Sequence, residues 1–142
     1  MNNTWKRKIE LEDVEVFNEL ERKYNISFPD ELKEFIIKYN RATPEKPRFM
    51  VGTTERVFGS VFSFNRSDRS ITGITTIFPM LEMFEFESLT DKLQKNIPFP
   101  IDPFGNFIAY SVKDGTVVFW DHETYEITST GKSLKDLIES LY

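Results

Sequence analysis

A chain of 142 residues with 39% hydrophobic and 15% aromatic content is long enough to bury a core in one domain and short for two. It contains no cysteine, which excludes disulfides, a thiolate nucleophile and zinc–thiolate sites. A formal net charge of −5 argues against a general binder of nucleic-acid backbone; it suits a basic protein partner, and equally suits a domain that is merely kept soluble.

Residues 1–11 read as an N-terminal arm in which Trp5, beside Lys6-Arg7-Lys8, lies on the surface or plugs one end of the core. No apolar stretch follows this basic cluster, so it is not a secretory signal, and no run in the chain approaches a membrane span. The expected location is the cytoplasm. From residue 12 or 13 the pattern is helical, with Val14, Phe17, Leu20 and Tyr24 at three- and four-residue steps. Acidic residues lead this helix and basic ones trail it, as the helix dipole favours, and Asn25 is the expected left-handed stop. After Ile26-Ser27-Phe28, Pro29 takes the first position of a second helix, with Asp30 and Glu31 behind it and Leu32, Phe35, Ile36 and Tyr39 as its buried stripe.

Thr43-Pro44 and Lys46-Pro47 break that helix, and Arg48–Val51 begins a strand. Residues 57–64 read as a strand with a bulge or tight turn at Gly59-Ser60, followed by a polar loop over 65–69. The pattern from 70 to 95 fits two periods. Ile71, Ile74, Ile77 and Phe78 line a short helix or a strand, Pro79 interrupts either, and Leu81, Met83, Phe84 and Phe86 are equally ambiguous. Residues 88–95 form a short helix.

The stretch from Ile97 to Glu123 organises the rest. Asp102-Pro103-Phe104-Gly105-Asn106 is a turn in which Pro103 presets φ, Gly105 tolerates a positive φ and the Asp102 carboxylate bonds nearby backbone N–H groups. Asp114-Gly115 between two apolar runs is a hairpin signal. With those two as the loop, Val112 lies opposite Val117, Tyr110 opposite Phe119 and Ala109 opposite Trp120. One face then carries Ile108, Tyr110, Val112, Val117 and Phe119 and packs on the core. The other carries Phe107, Ala109, Ser111, Val118, Trp120 and His122 and is half covered. A one-residue slip would exchange faces within a strand. Residues 121–124 turn the chain, 125–129 form a final strand, and Ser133 caps a closing helix with Asp136 at the reciprocal position and Leu134, Leu137, Ile138 and Leu141 as its inner edge. The order implies an α+β domain over residues 1–142: an N-terminal helical pair, an antiparallel sheet of meander hairpins and a C-terminal helix packed on the sheet.

His122 is the only histidine, so any nucleophile–histidine pair runs through it, and Asp121, Glu123 and Asp102 are its nearest carboxylates in sequence. Adjacent side chains of a tight turn diverge, however, and turn aspartates usually serve the backbone. The expectation is therefore no catalytic, metal or cofactor site. A carboxylate pair for glycoside hydrolysis can be drawn from Asp102, Asp121 and Glu123, with nothing in the sequence to fix its spacing. The isolated glycines make no phosphate loop, and no basic residues interleave with Phe107 and Trp120 as base stacking would want. A strand-end Trp is more often core edge than hot spot. Even so, Trp120 with Phe107, His122 and the adjoining Asp121 and Glu123 forms an aromatic centre with an acidic rim, as many protein interfaces do. Asp102, Phe107, Trp120, Asp121, His122 and Glu123 are the candidate partner-binding residues.

Three segments resemble the SUKH superfamily, which includes bacterial immunity domains, the Syd protein and a fungal cell-wall-synthesis regulator. They are LERKYNISFPDELKEFIIKYN with its Phe28-Pro29 junction, IPFPIDPFGNFIAYSV, and VVFWDHE followed by the closing helix. After Lys38-Tyr39-Asn40 the family tends to continue with glycines, where this chain has Arg41-Ala42. The resemblance implies an α+β fold and a non-enzymatic immunity protein that binds and neutralises a cognate protein toxin, often a nuclease, by occlusion. It also implies, as the alternative, a regulatory or scaffold module. No cofactor, no direct nucleic acid and no membrane are expected, and the chain is expected to be a monomer or weak homodimer.

Overall fold

The amphipathic segments near the N-terminus form the first two helices. In the computed structural model, which describes residues 3–68 and 76–142, α1 spans Glu15–Tyr24 and α2 spans Asp30–Tyr39. Asn25 ends α1 at φ 53°, in the left-handed region that asparagine tolerates better than most residues. Val14 departs from the expected stripe: it precedes the helix, is 58% exposed, and Val16 is buried in its place beside Phe17, Leu20 and Tyr24. Pro29 precedes α2 rather than opening it, with ψ at 152°, and its carbonyl accepts from the Lys33 N–H at 3.0 Å. The Phe28 N–H just before it donates to the Glu21 carboxylate at 2.8 Å, which ties the two helices together.

The arm pairs as a two-residue strand, β1 (Trp5–Lys6), with β2 (Thr43–Pro44). Trp5 plugs the core: its ring centroid lies 4.4 Å from Tyr39 and 5.7 Å from Phe58. A hairpin of β3 (Arg48–Val51) and β4 (Thr54–Val57) follows. The chain then crosses through Phe58 and Gly59 into β5 (Ser60–Val61), where Gly59 has φ +78°.

The ambiguous segment resolves as helix. α3 covers Ile77–Phe86 and α4 covers Thr90–Lys95, and Pro79 falls in the first turn of α3, where its missing N–H costs nothing. Ile71 and Ile74 lie outside the described residues. Next come β6 (Asn96–Ile101), β7 (Phe107–Ser111), β8 (Thr116–Trp120) and β9 (Ile127–Ser133), which with β5 form a five-stranded antiparallel sheet in the order β5-β6-β7-β8-β9. α5 (Leu134–Ser140) closes the fold against β8 and β9, its N-terminus capped by the Ser133 hydroxyl, which accepts from the Asp136 N–H at 3.1 Å.

The register across β7 and β8 differs from the sequence expectation. Phe107 lies opposite Trp120, Ile108 opposite Phe119, and Tyr110 opposite Val117. The loop has four residues, not two, because the Gly115 N–H reaches back to the Ser111 carbonyl at 2.8 Å; on the other side the Val112 N–H continues the register with β6, donating to the Lys95 carbonyl at 2.9 Å. The offset is two residues, so every side chain keeps its face. β9 likewise starts later than expected, at Ile127, because the Asp121 N–H donates to the Glu126 carbonyl and the Tyr125 N–H to the Asp121 carbonyl, which closes a longer turn.

Both faces of the sheet are covered. On one, Phe99 packs edge-on against Phe35 of α2 at 5.5 Å, and the Arg56 guanidinium of β4 lies 4.1 Å over Phe119. Tyr110 on this face meets Glu31 of α2, and burial together with that carboxylate raises the phenol pKa. The other face was expected to be half covered and is closed. Phe84 of α3 stacks on Trp120 at 5.0 Å with the rings 7° from parallel and meets Phe107 edge-on at 5.3 Å. The helix that shuts this face came from the segment with no clean period.

Candidate functional site

Two loops at one end of the sheet are joined by a short polar network. The Asp102 carboxylate, 6% exposed, accepts the N–H groups of Phe104 and Asn106 at 2.8 and 2.9 Å through one oxygen. Gly105 supplies the left-handed residue of this loop at φ +88°. Asn106, itself buried, turns its side-chain oxygen to the next loop, where it accepts the His122 N–H at 3.0 Å and lies 2.7 Å from Nδ1. An amide oxygen only accepts, so Nδ1 carries the proton, leaving Nε2 facing Glu123 at 3.7 Å. In the following turn one Asp121 oxygen accepts the N–H groups of Glu123 and Thr124 at 2.8 and 3.1 Å, and these two bonds hold its carboxyl below the usual range.

Between these loops and α3 lies a groove with a cavity of about 270 Å³. Phe107 and Trp120 form its floor, and Met80 and Met83 of α3, with Glu87 just past the helix end, form one wall. Tyr125 and His122 form the opposite wall, and the Tyr125 hydroxyl closes one end by donating to Glu87 at 3.0 Å, which raises the phenol pKa.

The six residues singled out from sequence separate into three positions. Asp102 is buried and spent on its own loop. Phe107 and Trp120, at 2% and 0% exposure, are floor rather than exposed centre, because α3 covers the face that was expected to be half covered. The exposed His122 lines the groove wall, and Asp121, half-buried, and Glu123, exposed, adjoin it in the chain. None of Asp102, Asp121 and Glu123, the carboxylates considered for glycoside hydrolysis, is among the residues lining this groove. Among the described residues no three acidic, histidine or cysteine side chains converge as metal ligands would.

Sequence reasoning missed Met80, Met83, Phe86 and Phe104. Of the fourteen phenylalanines, only Phe86 and Phe104 are exposed, at 89% and 71%. Each adjoins a groove-lining residue in the chain, Glu87 and Gly105 respectively. The available signal was the α3 sequence IFPMLEMFEF, apolar on more sides than one buried face requires.

Substitution of Asp102 by alanine is expected to lower stability by about 1–3 kcal/mol, because two loop N–H groups lose their acceptor. Asp102→Asn keeps an oxygen in place and is expected to stay close to wild type in urea denaturation. Equal loss in both variants would mean that the loop needs the charge and not the geometry.

No helix among the described residues is long and apolar enough to cross a membrane. The family model described as SMI1 / KNR4 family (SUKH-1) matches residues 12–140, leaving the N-terminal arm outside the match. No curated protein and no solved structure matches the chain.

Proposed function

The chain belongs to the SMI1 / KNR4 family (SUKH-1), and from that membership we propose that it is an immunity protein, a single non-enzymatic domain that binds a cognate bacterial toxin in the cytoplasm and neutralises it by occlusion. The observation that carries this reading is the rim of the groove. Exposed apolar side chains stand beside carboxylates at a site whose polar groups are engaged with their own loops, an arrangement suited to holding a protein and not to turning over a substrate. A nuclease toxin, basic where it meets nucleic acid, fits the acidic rim.

Co-expression with the C-terminal domain of the neighbouring gene's product tests the proposal. Growth rescue together with a co-purifying complex is the expected result. A toxic domain that this chain neither rescues nor binds would overturn that pairing and favour a regulatory or scaffold module.

Asp121, His122 and Glu123 are proposed to contact the toxin, and their charges call for different probes. Reversing Asp121 would also remove the acceptor of its own turn, so the change would not be confined to the surface. Glu123 has a side chain 79% exposed, and Glu123→Lys is expected to weaken toxin binding by about tenfold with an unchanged melting temperature. Calorimetric titration reads the first and thermal denaturation the second; unaltered affinity would remove Glu123 from the interface.

A further inference from the structure

We propose that the groove between α3 and the β8–β9 turn takes an aromatic or long aliphatic side chain from a protein segment whose flanking residues are lysine or arginine. This rests on the reading of the chain as a domain that binds a protein, and it specifies what that partner presents.

The groove's chemistry sets the central side chain. Its floor is a Trp–Phe pair and its wall a pair of methionines, whose unbranched thioethers adapt to an incoming apolar group. At about 270 Å³ the cavity falls just below the range of about 300–1,000 Å³ typical of drug-sized ligands, which suits a single anchoring side chain. Outside it, Phe86 and Phe104 offer apolar surface that the fold does not use, although every other phenylalanine is buried or half-buried.

Charge sets the flanks. The three segments that build the groove, residues 77–89, 101–112 and 116–131, contain neither lysine nor arginine in a chain that has 18 of them. Of their acidic residues, Glu87 lines the groove, and Asp121, half-buried, and Glu123, exposed, stand on either side of the groove-lining His122 in the chain. The neighbouring Lys92 is already engaged, its ammonium donating to the Tyr125 carbonyl at 2.8 Å. An acidic peptide, a nucleic-acid backbone or an anionic membrane would meet like charge on this rim, whereas a basic segment is steered to it.

The test is selection of a random 12-residue phage-displayed peptide library on the full chain, followed by titration of the winners against variants. The expected winners contain an aromatic residue and at least two basic ones. Their affinity should fall by at least about tenfold for Met83→Lys and for Phe104→Ser, and hold for Val14→Lys, which alters an exposed apolar residue elsewhere. Circular dichroism verifies that each variant is folded. Selection of no peptide, enrichment of acidic peptides, or winners bound equally by both groove variants would overturn the inference. Self-association of the wild type that Met83→Lys abolishes would seat a second copy in the groove and overturn it too. A toxin bound equally by wild type and groove variants would remove the groove and leave immunity intact. Groove-dependent basic peptides beside a toxin that the chain neither binds nor rescues would do the reverse.

Discussion

Gly59→Ala is expected to destabilise the protein by about 4 kcal/mol, from left-handed strain of about 1–3 kcal/mol and forced overpacking of about 1–3 kcal/mol. Gly59 has φ +78°, and a Cβ there would lie 2.0 Å from the Ile101 carbonyl oxygen and 2.6 Å from the Asp102 Cα. Those obstacles are backbone, so no rotamer change relieves them. Either β5 leaves its pairing of Ser60 with Ile101, or the end of β6 moves and carries Asp102 away from the N–H groups it caps. Gly52→Ala is the control: φ is +60°, no atom stands within 4 Å, and the loss should be confined to about 1–2 kcal/mol of left-handed strain. Equilibrium urea denaturation of both variants reads the difference. Equal losses would mean that the crossing at Gly59 yields more easily than its geometry indicates.

How far the fold was legible followed from how many local signals agreed. Leu32, Phe35 and Ile36 kept a helical stripe between Pro29 and the helix-breaking Thr43-Pro44, and all three are buried in α2. Ser133 capped its helix as its position before Leu134 and Asp136 indicated. The Asp102 turn formed with the hydrogen bonds its residue types favour. The hairpin loop was misjudged because Asp-Gly also suits longer turns, and nothing in those two residues sets how far back the Gly115 N–H reaches, here to the Ser111 carbonyl. The site was misjudged for a related reason. Whether Trp120 is exposed depends on α3, and α3 is apolar on so many sides that its sequence reveals neither its period nor its buried face. The residues that make it hard to read as a helix, Met83 and Phe86, are those it leaves at the surface.

Trp120→Ala is expected to cost about 3–5 kcal/mol, the range for deleting a large aromatic from a core. The indole is fully buried, stacked on Phe84 and 6.1 Å from Phe107, so its loss opens a cavity directly beneath the groove and removes the surface against which α3 is set. Trp120→Phe separates packing from recognition. A phenyl ring retains the stack, and it discards an indole Nε1 that has no hydrogen-bond partner among the described residues. A buried donor in that condition costs about 1–3 kcal/mol, which offsets part of the lost contact area and should hold the Phe variant within about 1 kcal/mol of wild type. Partner affinity then distinguishes floor from contact. As floor, Trp120→Phe binds the partner nearly as wild type does, and Trp120→Ala binds poorly in proportion to its loss of structure. As a direct contact, Trp120→Phe would lose affinity at undiminished stability, and α3 would have to move aside when the partner binds. Denaturation and titration of the same two variants decide between a groove already formed and one that the partner must open.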